Sequence, residues 1–101
     1  MNEDQDYLSI LRQLKKNPES NQREMASSLG FSLGKFNYCL KSLKKKGLVK
    51  INNFKKNPKK LNYLYVVTPK GISEKTKLSI KFMQRKMKEY DELKNELERE
   101  K

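Results

Sequence analysis

The sequence predicts a mainly α fold with one small β-hairpin, an α+β domain that runs into a long C-terminal helix. Three observations carry that expectation. Apolar residues recur at three- and four-residue steps through three short segments before Gly47. From Leu48 to Thr68 the period changes, and β-branched and aromatic residues take over. Beyond Pro69 there is no further proline and Gly71 is the last glycine, so the stretch to Lys101 reads as one helix.

The first helix is expected from about Asp4 to Lys16. Tyr7, Ile10, Leu11 and Leu14 follow the helical step, with acids in the first turn and Lys15-Lys16 in the last, as the helix dipole favours. Asn17-Pro18 ends it. Asn21-Gln22-Arg23-Glu24 then has the form of a capping box, and Met25, Ala26 and Leu29 supply the buried face of a second short helix that Gly30 closes. Residues 30–32 leave room only for a tight turn before the third helix, which is the spacing of a helix-turn-helix.

Ser32 and Gly47 bracket that third helix, one as cap and the other as a terminator able to take the left-handed conformation. Leu33, Phe36, Leu40 and Leu43 share one face of it, expected to dock on the domain. Lys35, Asn37, Tyr38, Lys41, Lys44 and Lys45 lie elsewhere around the cylinder. Cations, an amide and a phenol on a helix of this width suit the DNA major groove, while a solvated lysine-rich surface helix has the same pattern. Residues 48–54 and 61–68 follow as two strands, joined through Lys55-Lys56-Asn57-Pro58-Lys59-Lys60. A two-stranded hairpin is marginal alone and must lean on the helices. Its basic tip, directly after a basic helix-turn-helix, reads as the wing of a winged helix reaching phosphates or the minor groove.

Charge places the partner. The formal net charge is +12. Residues 1–30 hold four Lys/Arg against five Asp/Glu, residues 31–70 eleven against none, and residues 71–101 nine against seven. The lysines of the middle segment are interleaved with leucines, tyrosines and valines at structural spacings, so the basic surface belongs to a folded unit whose natural partner is a polyanion. At 35% hydrophobic content the core must be small. No apolar run has the length of a membrane span and the N-terminus is acidic, so a cytoplasmic protein is expected. With one cysteine and no histidine, neither a zinc set nor a Cys–His nucleophile can be assembled. No catalytic constellation, metal, cofactor or ligand is evident, an enzyme is not expected, and Cys39 reads as a small helix residue near the core.

The runs Asn21 to Ala26, Leu33 to Leu43, Gly47-Leu48-Val49-Lys50 and Thr68-Pro69-Lys70-Gly71 resemble MarR-type winged helix-turn-helix transcriptional regulators. The likeness is nearest to a small bacterial subgroup associated with exopolysaccharide (EPS) synthesis, and it covers nearly the whole chain. It implies that Ser32, Gly34, Lys35, Asn37, Tyr38 and Lys41 match the DNA-facing recognition positions. Lys44, Lys45, Lys55, Lys56, Lys59 and Lys60 lie beside them, for the backbone or minor groove. The wing carries lysines where an arginine is common in that family.

Two units are therefore expected: a DNA-binding winged helix over residues 1–70 and a helix over 71–101 that serves dimerisation. Thr68 caps that helix, Pro69 suits its first turn, and its length is about 45–50 Å. Ile72, Ser79, Met83, Met87, Tyr90, Leu93 and Leu97 make a broken stripe along it, shorter than the clean heptads of a coiled coil, and the last five are the expected dimer interface, against the alternative of a frayed solvated tail. From Lys75 to Lys88 it holds six basic residues and no acid, and from Glu89 to Lys101 six acids and three bases. An antiparallel homodimer would set each basic half against the partner's acidic half. The sequence thus predicts a sequence-specific, double-stranded-DNA-binding regulator, with the helix of residues 32–46 in the major groove. An RNA-binding or protein-docking winged helix shares the basic surface and is the alternative.

Overall fold

The computed structural model describes residues 3–17, 20–52 and 64–100. Four helices and a two-stranded sheet follow in the order α1 (Glu3–Lys16), α2 (Gln22–Leu29), α3 (Leu33–Lys45), β1 (Val49–Asn52), β2 (Leu64–Val67) and α4 (Pro69–Arg99). The strands pair antiparallel, Val49 opposite Val67 and Asn52 opposite Leu64.

The helix ends are fixed by the side chains expected there. Asn21 Oδ1 accepts from the Glu24 N–H at 2.8 Å, and Ser32 Oγ accepts from the Lys35 N–H at 3.1 Å. Between them Gly30, at φ 71°, turns the chain, and the Phe31 N–H returns to the Ala26 carbonyl at 2.8 Å. A left-handed residue is needed at that point to send α3 off across α2 within so few residues. The other end of α3 runs to Lys45, with Lys46 as cap and Gly47 at φ 75°.

One threonine joins the three parts of the domain. Thr68 Oγ1 donates to the Gly47 carbonyl at 2.6 Å and accepts from the Gly71 N–H at 3.0 Å, so the residue that starts α4 also holds the exit of α3. Gly71 permits the close approach: a Cβ there would fall onto the Leu48 carbonyl oxygen.

A single main core gathers Tyr7, Ile10, Leu11 and Leu14 of α1, Met25 and Ala26 of α2, Phe36, Cys39, Leu40 and Leu43 of α3, and Leu48 and Val49 of the hairpin. Tyr65 and Val67 pack against its edge, as a hairpin that cannot stand alone requires. One expectation needs correcting. Leu33 is 40% exposed, and Cys39 takes the place assigned to it in the buried face. With about 100° of rotation per residue, a face centred on Phe36, Cys39, Leu40 and Leu43 leaves Leu33 roughly 70° from its middle, at the margin of the first turn.

The long helix has two fates along its length. Leu78 and Phe82 bury themselves against Leu8 of α1 in a second, smaller cluster, and Lys81 Nζ lies 2.8 Å from Asp4 Oδ2. Past Phe82 every described residue of α4 is exposed, and the molecule stretches to 64 Å against 26 and 21 Å in the other directions.

Candidate nucleic-acid interface

Because the buried residues of α3 occupy one arc of the helix, its rotation decides what the opposite arc presents. Gly34, Tyr38, Lys41 and Lys45 lie opposite the core, with Asn37 and Lys44 on one shoulder. Tyr38 is 64% exposed although it is a large aromatic, and Asn37 is half-buried beside it. A protruding phenol, an amide and two outward lysines make a surface able to donate and accept hydrogen bonds between flanking cations. The small Gly34 at its N-terminal end has open space where a side chain would stand, so backbone can come close to a partner there.

Two of the expected positions are occupied differently. Ser32 spends its hydroxyl on the helix cap, which leaves it exposed but engaged. Lys35 lies on the other shoulder of the helix, turned towards α1: its ammonium is 3.4 Å from Asp6 Oδ2 and 4.2 Å from the centre of the Phe31 ring. The sequence could not reveal this, because Asp6 and Lys35 become neighbours only when α1 packs across α3. Lys46, exposed, holds its ammonium 4.7 Å from the centre of the Tyr7 ring.

Lys50 was missed by the sequence reading. It is exposed on β1 between the buried Val49 and the half-buried Ile51, beyond the last turn of α3. The alternation of Val49, Lys50 and Ile51 carried the signal, since residues in a strand point to opposite faces in turn. The wing lysines Lys55, Lys56, Lys59 and Lys60 lie outside the described residues.

Cys39 is buried beneath this surface. Burial raises its thiol pKa above the ordinary value; the nearby carboxylates of Asp6 and Glu3 raise it further, and the Lys35 ammonium acts in the opposite sense. Nothing about that setting activates a nucleophile.

The positions expected to dimerise stand together on α4. Met83, Met87, Tyr90, Leu93 and Leu97 are each between 55% and 65% exposed, a row of large apolar side chains along the half of the helix that leaves the domain. Five such residues at helical spacing lie along one face of the helix. Among the described residues no helix is long and apolar enough to cross a membrane.

The architecture is that of a winged helix-turn-helix with an extended C-terminal helix. The winged helix-turn-helix DNA-binding family matches residues 8–50, from within α1 to the start of β1. Among solved structures the chain is similar to the transcriptional repressor CouR bound to a 23-mer DNA duplex, at 26% identity and a TM-score of 0.70, covering 85% of this chain and 59% of that one. It is similar also to Staphylococcus aureus MarR in complex with salicylate and kanamycin, at 16% identity and a TM-score of 0.67, covering 86% of this chain and 57% of that one. The S. aureus MepR–DNA complex matches at 17% identity and a TM-score of 0.67, over 96% of this chain and 73% of that one. The chain thus spans under two thirds of the first two of these proteins, and at these identities the MarR and MepR likenesses show a common fold. No curated protein matches the sequence.

Proposed function

We propose that this chain is a cytoplasmic, non-enzymatic transcriptional regulator that binds double-stranded DNA as a homodimer. The observation that carries the reading is the outward arc of α3. Tyr38, Lys41 and Lys45, with Asn37 at the shoulder, face away from the core on a side of α3 that the other described residues leave uncovered. The absence of any acid among residues 31–70 supports a polyanionic partner. The likeness to a repressor solved on a DNA duplex supports DNA in particular.

In this reading Asn37 pairs with adenine, Lys41 and Tyr38 read neighbouring base edges, and Gly34 lets the backbone approach the groove wall. Ser32 positions the N-terminus of α3 as its cap. Lys35 reaches guanine only by leaving Asp6. Lys44, Lys45 and Lys50 hold phosphates, joined by the wing lysines Lys55, Lys56, Lys59 and Lys60. The motif likeness to the exopolysaccharide-associated subgroup supports placing the chain in that branch of MarR-type regulators.

The dimer is formed through α4, with Met83, Met87, Tyr90, Leu93 and Leu97 as its apolar seam and the two helices antiparallel. The opposed charges of the two halves of α4 support that direction. A twofold axis across the pair directs two recognition helices at successive major grooves, about 10 base pairs apart. Selection of bound sequences from random duplex DNA, with structured RNA as competitor, tests the whole reading. An inverted repeat with that spacing is the expected result, and enrichment of RNA over duplex overturns it.

A further inference from the structure

A groove of about 800 Å³ runs between α1 and α4. Leu8 and Phe82 form its apolar base, Arg12 and Lys86 bring cations to its sides, and Met83 opens it onto the exposed stripe. Asp91 lies at the far end. The groove therefore offers an apolar slot beside positive charge, continuous with a helix face on which no other described residue packs.

The same chain contains the complement. Met83, Met87, Tyr90, Leu93 and Leu97 advance by steps of four, three, three and four, a spacing that reads the same from either end. In an antiparallel pair of helices with equal rise per residue, a twofold axis at Tyr90 brings Met83 level with the partner's Leu97 and Met87 level with the partner's Leu93. A parallel pair would match Met83 with its own copy and stack one basic half on the other.

Charge agrees with that register independently of the spacing. With about 100° of rotation per residue, Glu89, Glu96 and Glu100 lie on the flank of α4 that also carries Phe82 and Leu93. That is the flank on which α1 packs, through Leu8. An antiparallel twofold keeps like flanks together, so the acidic flank of one copy is turned into the groove of the other, where Arg12 and Lys86 stand.

We propose that the second half of α4 from a second copy of this chain fills the α1–α4 groove, with Tyr90 at the twofold axis and Glu96 and Glu100 of the partner subunit paired with Arg12 and Lys86. The proposal rests on the reading of the chain as a dimeric regulator and adds to it the register and the ion pairs. It makes α1 part of the interface. Because α1 also carries Asp6, which holds Lys35 of α3, subunit pairing and the recognition helix share one rigid element.

Disulfide mapping in the full-length chain with Cys39→Ala tests the register. A disulfide needs Cα atoms within about 7 Å. Tyr90→Cys alone, and Met83→Cys combined with Leu97→Cys, should give covalent dimers under mild oxidation. Leu97→Cys alone should not, because its two copies lie about 21 Å apart in this register. Charge exchange supplies a second readout that does not depend on oxidation. Arg12→Glu should weaken dimerisation about threefold to fivefold at low salt, and adding Glu96→Arg should restore it. Ready crosslinking of Leu97→Cys to itself, or additive losses in the charge exchange, overturns the register. Sedimentation and duplex binding measured alongside separate the two readings. A dimer that binds an inverted repeat without the Tyr90 crosslink refutes the register alone, whereas a crosslinked dimer that ignores duplex DNA refutes the regulator reading alone.

Discussion

Helices α3 and α4 carry the same kind of sequence and meet opposite fates. Each has apolar residues at three- and four-residue steps; lysines fill the remainder of α3, and mostly acids fill the remainder of α4 from Glu89 on. In α3 that stripe is Phe36, Cys39, Leu40 and Leu43, all buried, and the polar arc is what the protein shows to solvent. In the second half of α4 the stripe is Met83, Met87, Tyr90, Leu93 and Leu97, all exposed, and no other described residue covers it. Periodicity states that a helix has a face; whether that face is filled depends on where the chain's other elements lie. For α3 they lie on three sides, from α1, α2 and β1, while α4 outruns the domain after Phe82.

The largest test of the contrast is truncation of one stripe against the other. Phe36→Ala removes a fully buried ring from a small core and should cost about 3–5 kcal/mol, a large share of the stability such a domain has. Urea denaturation would show the midpoint fall at every protein concentration. Leu93→Ala should leave dilute protein unchanged and lower the midpoint only where dimers form. If Leu93→Ala destabilised the dilute chain as Phe36→Ala does, the exposed stripe would be packing within its own subunit.

Ending the chain before Glu89 sharpens the same point. Leu78 and Phe82 keep their contacts with Leu8, so the domain should fold, while sedimentation should show a monomer. Affinity for a two-half-site duplex should drop far more than affinity for a single half-site. A truncated chain that still sedimented as a dimer would move the interface elsewhere.

On α3 and the start of β1 the contrast is between groups that read bases and groups that hold phosphates. Asn37→Ala or Tyr38→Ala should relax preference at particular base pairs by about 1–3 kcal/mol. Lys45→Ala or Lys50→Ala should weaken binding to all sequences alike and reduce the salt slope by about 0.9. Binding measured across salt concentrations on a set of single-base variants distinguishes the two, and a sequence-dependent loss from Lys45→Ala would reverse the assignment. Lys35 falls between the classes. Its pair with Asp6 lies near the surface and should be worth under about 1 kcal/mol to stability. If Lys35 reads guanine after release, Asp6→Asn should strengthen duplex binding, and no change on that substitution would leave Lys35 a structural residue.

Much of this organisation was legible in the sequence because it is local. Asn21, Ser32 and Thr68 are caps whose partners lie three residues away, and Gly30 marks a turn that its neighbours require. The pairing of β1 with β2 was legible from composition, since the strands flank one connection. What the sequence concealed depends on elements far apart in the chain meeting in space. Asp6 takes up Lys35 across twenty-nine residues, and Tyr7 takes up Lys46. The groove between α1 and α4 exists only once Leu8 meets Phe82. Leu33 was misjudged for a related reason: the periodic pattern gave its face, and the position of α3 on the core decided where that face ended.

The smallest effect belongs to Cys39, the one buried residue of α3 that can change charge. Its thiol pKa is raised, first by burial and then by the carboxylates of Asp6 and Glu3. The folded protein therefore favours the neutral thiol more than the unfolded chain does. The sign follows from that preference: the contribution is fully present below the pKa of an unfolded cysteine and is lost as pH rises through the higher folded value. Stability should thus soften at alkaline pH, and Cys39→Ala should flatten that part of the profile while lowering the whole curve by the cost of one lost buried sulfur. Iodoacetamide, which reacts with the thiolate, should label Cys39 more slowly than a free cysteine at mildly alkaline pH and catch up in urea. DNA affinity should be alike under reducing and oxidising conditions. Rapid labelling of the native protein near neutrality, or a redox dependence of binding that Cys39→Ala abolishes, would show instead that this face of α3 opens to solvent.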